Sequence, residues 1–192
     1  MKNQLGIEEK TIRYAVQYSN GGEILQERWK RPKLKLAKSK GEWVWDIIGY
    51  GVYLASIVFL VYVWNTLPNE VPAHFNASGE VDRWGSKYEL LILPSIGLLM
   101  AVLMQFIEKF PDSHNYPERL NENNVKEFYL LSRKMANAIK NITLLIFALM
   151  LFQSVSIALE WGNPLGKWLL PIIIISVLIP IVIGIIKQRK IR

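Results

Sequence analysis

The sequence predicts an all-α membrane protein with four transmembrane helices, a small cytoplasmic N-terminal β-hairpin and an ordered extracytoplasmic loop. Three observations carry this. The apolar residues, 51% of 192, are gathered into blocks instead of spread at amphipathic spacing. Four blocks run 18 or more residues without Asp, Glu, Lys or Arg, about the helical length that crosses a hydrocarbon core of ~30 Å. Of the 23 Lys and Arg residues, all but Arg83, Lys87 and Lys167 fall on one side of a four-span layout.

Residues 1–42 read as a cytoplasmic segment and 43–192 as the four-span domain, with spans near 47–64, 90–107, 142–159 and 168–186. The first apolar run begins only after about forty largely polar residues, which predicts an uncleaved anchor instead of a signal peptide. In the first segment, Ile12, Tyr14, Val16 and Tyr18 alternate with polar or small residues. Asn20-Gly21-Gly22 then leads into a second extended run ending at Trp29, the pattern of a β-hairpin. A lone hairpin is marginally stable, so this one suits docking to a cytoplasmic protein partner or to the rest of the chain.

The basic run Arg28 to Lys40 fits anionic headgroups of the lipid bilayer, each cation contributing about 1 kcal/mol. With the basic residues retained on one side, the +7 net charge needs no nucleic acid to explain it. Both termini are then cytoplasmic. Trp43, Trp45, Trp64, Trp84, Trp161 and Trp168 fall at or near span ends, as interfacial belts do. Cysteine is absent, which removes disulfides and thiol chemistry.

The loop between spans two and three opens with Pro- and Asn-rich turn chemistry. From Val125, apolar residues at Phe128, Leu131, Met135, Ile139 and Ile142 predict a helix along or below the inner interface that continues into span three. His114, without metal-ligand spacing around it, reads as a solvated loop residue. The charge-free windows contain no ionisable residue, which disfavours a proton-driven transporter. Ser56, Gln105, Gln153, Ser154, Ser156 and Ser176 read as polar groups that knit helices together. Pro180, well inside span four, predicts a kink.

The dense site candidate is the loop Trp64 to Lys87, facing out. Pro68 and Pro72 stiffen the chain and bias Leu67 and Val71 toward extended backbone, while Gly79 and Gly85 permit turns. His74 can exchange protons or hydrogen-bond near neutral pH, and Glu70, Glu80 and Asp82 offer carboxylate partners. One histidine with scattered acids falls short of the three or four convergent ligands of a usual metal site, and no metal, cofactor or catalytic residue is assigned. Asp82 with Arg83 reads equally well as a turn with a surface ion pair.

The string Leu67-Pro68-x-x-Val71-Pro72-x-His74-Phe75-Asn76-x-x-Gly79-x-x-Asp82-x-Trp84-Gly85-x-Lys87 resembles the signature of the bacterial membrane family called domain of unknown function 1648. That family includes the amino-terminal part of SdpI-like immunity proteins. The resemblance implies a multi-pass protein of the bacterial cytoplasmic membrane and, in that branch, protection against a secreted peptide toxin with signalling to a cytoplasmic repressor. The further Asn/Gly/Arg-containing membrane motif of SdpI-like proteins has no counterpart after Gly162.

Three functional expectations follow. The first is a binding or immunity-like protein whose outer loop, through Pro68, Pro72, His74, Phe75, Asn76, Gly79, Asp82, Trp84 and Gly85, meets a peptide toxin or envelope ligand. The second is a membrane enzyme or metal-dependent protein using His74 with Glu70 or Asp82. The third is a structural subunit of a membrane complex.

Overall fold

The computed structural model describes residues 29–192. Within them, helices α1 (Lys40–Val63), α2 (Ile92–Lys109), α3 (Val125–Ala158) and α4 (Leu169–Lys190) are joined by loops and one antiparallel pair of strands. The strands, β1 (Glu70–Phe75) and β2 (Val81–Ser86), connect α1 to α2. The N-terminal β-hairpin expected over residues 12–29 lies outside the described residues.

All four helices are long and apolar enough to cross a membrane, so the chain is a multi-pass membrane protein. Their alternating directions place the β-hairpin and the α3–α4 turn at one end. The segment before α1, the α2–α3 loop and the C-terminal residues lie at the other, referred to below as the basic end. Trp43, Trp45, Trp161 and Trp168 are all exposed, as lipid-interface anchors are.

The central element is α3, against which α1, α2, α4 and β1 all pack. Its 34 residues extend about 51 Å at 1.5 Å per residue, well over a ~30 Å hydrocarbon core. The expected inner helix and span three are thus one continuous helix whose first turns stand within the protein at the basic end. Phe128 and Tyr129 there are fully buried. At the hairpin end, Leu60 and Val63 of α1, Leu151, Val155 and Ala158 of α3, and Leu67, Val71 and Leu90 make one core. The helix α4 runs on through Pro180 to Lys190.

The loop that the sequence marks as solvated is built into this frame. His114 Nε2 donates to the Ile107 carbonyl at 2.7 Å, which leaves Nδ1 to accept from the Ser132 hydroxyl in the neutral ring. Its ring stacks on Tyr116, and its own carbonyl accepts from Arg31 at 2.6 Å. The expectation of a solvated His114 is therefore corrected. Both ring nitrogens hold the loop to α2 and α3, and only the fold brings Ser132 within reach. Burial of Tyr116 among Phe128 and Tyr129 pushes its hydroxyl up to about 12.

Candidate functional site

The stiff loop expected between the first two spans is a β-hairpin. Pro72, buried, faces Trp84, and His74 faces Arg83 across the pair, with the register interrupted on either side of His74. Such a bulge bends a strand and re-aims a side chain. Here it lets His74 Nδ1 reach Asp82 Oδ1 at 2.6 Å. A carboxylate accepts, so Nδ1 carries the proton of this bond. The pair stands in the open, with the His74 side chain 64% and the Asp82 side chain 41% exposed. Trp84 and Arg83 are exposed beside it.

The hairpin tip is made by Asn76. Its side-chain oxygen accepts from the backbone N–H of Ser78 at 2.9 Å and of Glu80 at 3.0 Å, and its carbonyl accepts from Gly79 at 2.9 Å. Gly79 sits at φ 74°, a left-handed conformation that costs other residues about 1–2 kcal/mol. Phe75 is half-buried and Pro68 exposed, and Gly85 packs its backbone against the Glu89 carboxylate and Ala73. Arg83 pairs with Glu89 at 2.9 Å and so spends its charge there; the alternative of an Asp82–Arg83 pair is not the arrangement adopted. Glu70 sits at the hairpin base opposite Ser86, while His74 is toward the tip.

A residue outside the motif holds the tip in place. Asn163, in the α3–α4 turn, donates to the Gly79 carbonyl at 3.0 Å and accepts from Gly166 N–H at 2.7 Å and from the Gln153 side chain. Gln153, fully buried on α3, also accepts from Leu165 N–H at 3.1 Å. Gln153 does knit elements together as the sequence suggests, whereas Ser56 and Ser176 bond back to their own helices. The bond of Asn163 to Gly166 is a local turn contact, but the clamp itself carries no sequence signal, because Gly79 lies 84 positions away.

At the basic end the helices run past the charge-free windows of the sequence, and the extensions carry buried ionisable groups. Helix α1 starts at Lys40 and carries Glu42 and Asp46 inside it, α2 carries Glu108, and α3 carries Arg133 and Lys140, all buried. Windows chosen to be free of charge necessarily stop where these residues begin, but the helices do not. Arg133 grips Glu42 with two nitrogens at 2.9 and 3.0 Å and donates to the carbonyls of Leu36 and Ala37. Lys140, with no exposed side-chain surface, meets Glu108 at 2.6 Å, Asp46 at 2.9 Å and Gln105 at 2.9 Å. Lys38 meets Asp46 and Glu108, each at 2.6 Å, and Asn137 and Asn141 donate to Asp46 at 2.7 and 2.9 Å.

Three cations thus face three carboxylates, with amides filling the remaining acceptor sites. Buried ion pairs persist where the geometry is this complete. The basic run before α1 is also corrected in part. Lys38 turns inward onto the protein and Arg31, while exposed, bonds the His114 carbonyl, leaving Lys30, Lys33, Lys35 and Lys40 exposed to meet headgroups.

Burial disfavours the Lys38 ammonium, but the Asp46 and Glu108 carboxylates outweigh it and raise its pKa above the ordinary 10.5. Its contribution to stability is therefore complete below about pH 10.5 and is lost as the pH climbs through the higher folded-state value. The stability difference between wild type and Lys38→Gln, measured in detergent by denaturant unfolding, should be level from about pH 8 to 10 and shrink above that. A difference that grows with alkalinity would contradict this assignment.

Residues 51–98, from the middle of α1 through the hairpin into α2, match the family described as "Domain of unknown function (DUF1648)". That stretch is similar to DUF1648 domains. The His74–Asp82 pair, the Asn76 tip and Trp84 all lie inside it, whereas Asn163, Arg133 and Lys140 lie outside. A protein of Archaeoglobus fulgidus described as "Uncharacterized protein" is 38% identical to this chain over 66 residues. The match takes in 33% of this chain and 36% of that relative, so the chain covers about a third of its length. No solved structure matches the chain.

Proposed function

We propose that this protein is a non-enzymatic, immunity-like binding protein of the bacterial cytoplasmic membrane, and that the face of the DUF1648-like hairpin bearing His74, Asp82 and Trp84 meets a peptide toxin or envelope ligand outside. The observation that carries the reading is the contrast within the hairpin. Its base is sunk in the core through Leu67 and Val71 and its tip is tied down through Asn163, yet an aligned His–Asp pair and a tryptophan point into the open. A rigid platform presenting aromatic and hydrogen-bonding groups is what recognition favours, because little conformational freedom is lost on binding. The one-sided Lys and Arg distribution supports cytoplasmic termini and an outward hairpin, with the cytoplasmic N-terminal segment available to a protein partner.

The test is deletion of the gene and complementation with wild type, His74→Ala or Trp84→Ala, with challenge by secreted peptide toxins and a check that each protein reaches the membrane equally. Wild type should rescue. Each variant should need about 30-fold less toxin for the same killing, the loss expected of an interface anchor contributing about 2 kcal/mol. Equal rescue by all three would make the pair structural and remove the recognition reading.

A further inference from the structure

Helix α4 leans on α3 and leaves a long groove between them. The groove has a volume of about 700 Å³ and an almost wholly apolar lining, including Ala138, Ile142 and Ile179. At the basic end it opens between Lys134 of α3 and Lys187 of α4, with Trp45 of α1 at the same mouth. Both lysines are exposed, and among the described residues neither has an acidic partner. From Lys187 back to Ile172 the groove follows α4 for about 22 Å, against about 15 Å for the hydrocarbon of one leaflet.

We infer that this groove binds one anionic phospholipid of the basic-end leaflet, an acyl chain lying along Ile142 and Ile179 and the phosphate held between Lys134 and Lys187. The two ends of the site have different chemistry at the spacing that a lipid has. An apolar slot long enough for one leaflet's hydrocarbon accepts the chain, and two cations from different helices meet the headgroup at the depth where Trp45 marks the interface. A second copy of this chain fits less well. A two-fold contact on the same face sets the lysines of both copies at one depth, where like charges repel.

The test is native mass spectrometry of the full chain in mild detergent, titrated with phosphatidylglycerol or phosphatidylcholine. One phosphatidylglycerol should be retained in preference to phosphatidylcholine. The Lys134→Gln/Lys187→Gln variant changes only exposed positions and should bind phosphatidylglycerol about 30-fold more weakly, since two headgroup cations together supply about 2 kcal/mol at 1.4 kcal/mol per factor of ten. Ala138→Trp, which fills the slot and keeps both lysines, should also lose the adduct. Equal retention of the two lipids, or undiminished binding by the double variant, would overturn the inference. So would an adduct that survives Ala138→Trp, which means adsorption to surface charge, or a doubled mass that Ala138→Trp abolishes, which means a second copy in the groove. Should Ala138→Trp fail to fold, the lipid preference and the double variant still decide.

Discussion

Lys140→Met is expected to destabilise the protein by about 3–5 kcal/mol, the usual consequence of removing one partner from a buried ion-pair cluster. Lys140 has no exposed surface and lies within 2.9 Å of both Asp46 and Glu108. Without it, two carboxylates share the single nearby charge of Lys38, which remains 21% exposed at the edge of the cluster. Methionine fills the volume but cannot donate, so the loss is electrostatic more than steric. Unfolding in detergent followed by helical circular dichroism reads the effect. Combining Lys140→Met with Glu108→Gln should recover most of the loss, because the surplus negative charge is then gone. A single variant within about 0.5 kcal/mol of wild type would mean that the cluster contributes nothing to holding α1, α2 and α3 together.

Gly79→Ala is expected to cost about 2–4 kcal/mol and to loosen the hairpin tip. Two effects add. The backbone at φ 74° disfavours any Cβ by about 1–2 kcal/mol, and the Cβ would land on the Gly166 carbonyl, a backbone group that cannot swing aside as a flexible side chain can. Relief requires the hairpin to part from the α3–α4 turn, which breaks the Asn163 bond to Gly79. A lower thermal midpoint with faster proteolysis between Phe75 and Val81 is the expected signature. Ala77→Ser, at an exposed neighbouring position, should leave both unchanged. If Gly79→Ala matched it, the tip would not be clamped to the turn, and the rigid platform behind the proposed recognition would lose its footing.

These two sites differ in how much of them could be read from the sequence. The motif residues flagged there turn out to have separate tasks. Asn76 and Gly79 shape the tip, Pro72 and Gly85 seat the strands, and His74, Asp82 and Trp84 are left to face outward. Local chemistry was enough to see this segment, because prolines, glycines and an Asn at turn spacing act over a few residues. The bulge at His74 was not visible, nor was the tie through Asn163, since each depends on what the opposite strand or the far turn offers.

The charged cluster did leave a trace. Glu42, Asp46, Gly49 and Tyr53 fall on one stripe of α1, and Arg133, Asn137, Lys140, Asn141 and Leu144 on one stripe of α3, each continuing its helix's buried face. Where the stripes meet, Gly49 leaves room for the Asn141 side chain. Tracing that periodicity across the ends of the charge-free windows would have exposed the site.

By itself the sequence determined the four spans, their alternating directions, the ordered segment between the first two, and the motif similar to DUF1648 domains. Each of these rests on runs of residues or close spacing, which act within a single helix or turn. Only the tertiary structure decided that Arg133 meets Glu42 from 91 positions away, that Lys140 is buried between two carboxylates, and that Asn163 clamps the hairpin. The physical reason is that a charge near a span end can be solvated, bound to headgroups or paired inside the bundle at comparable free energy. Which state it takes depends on the groups that neighbouring helices place opposite it.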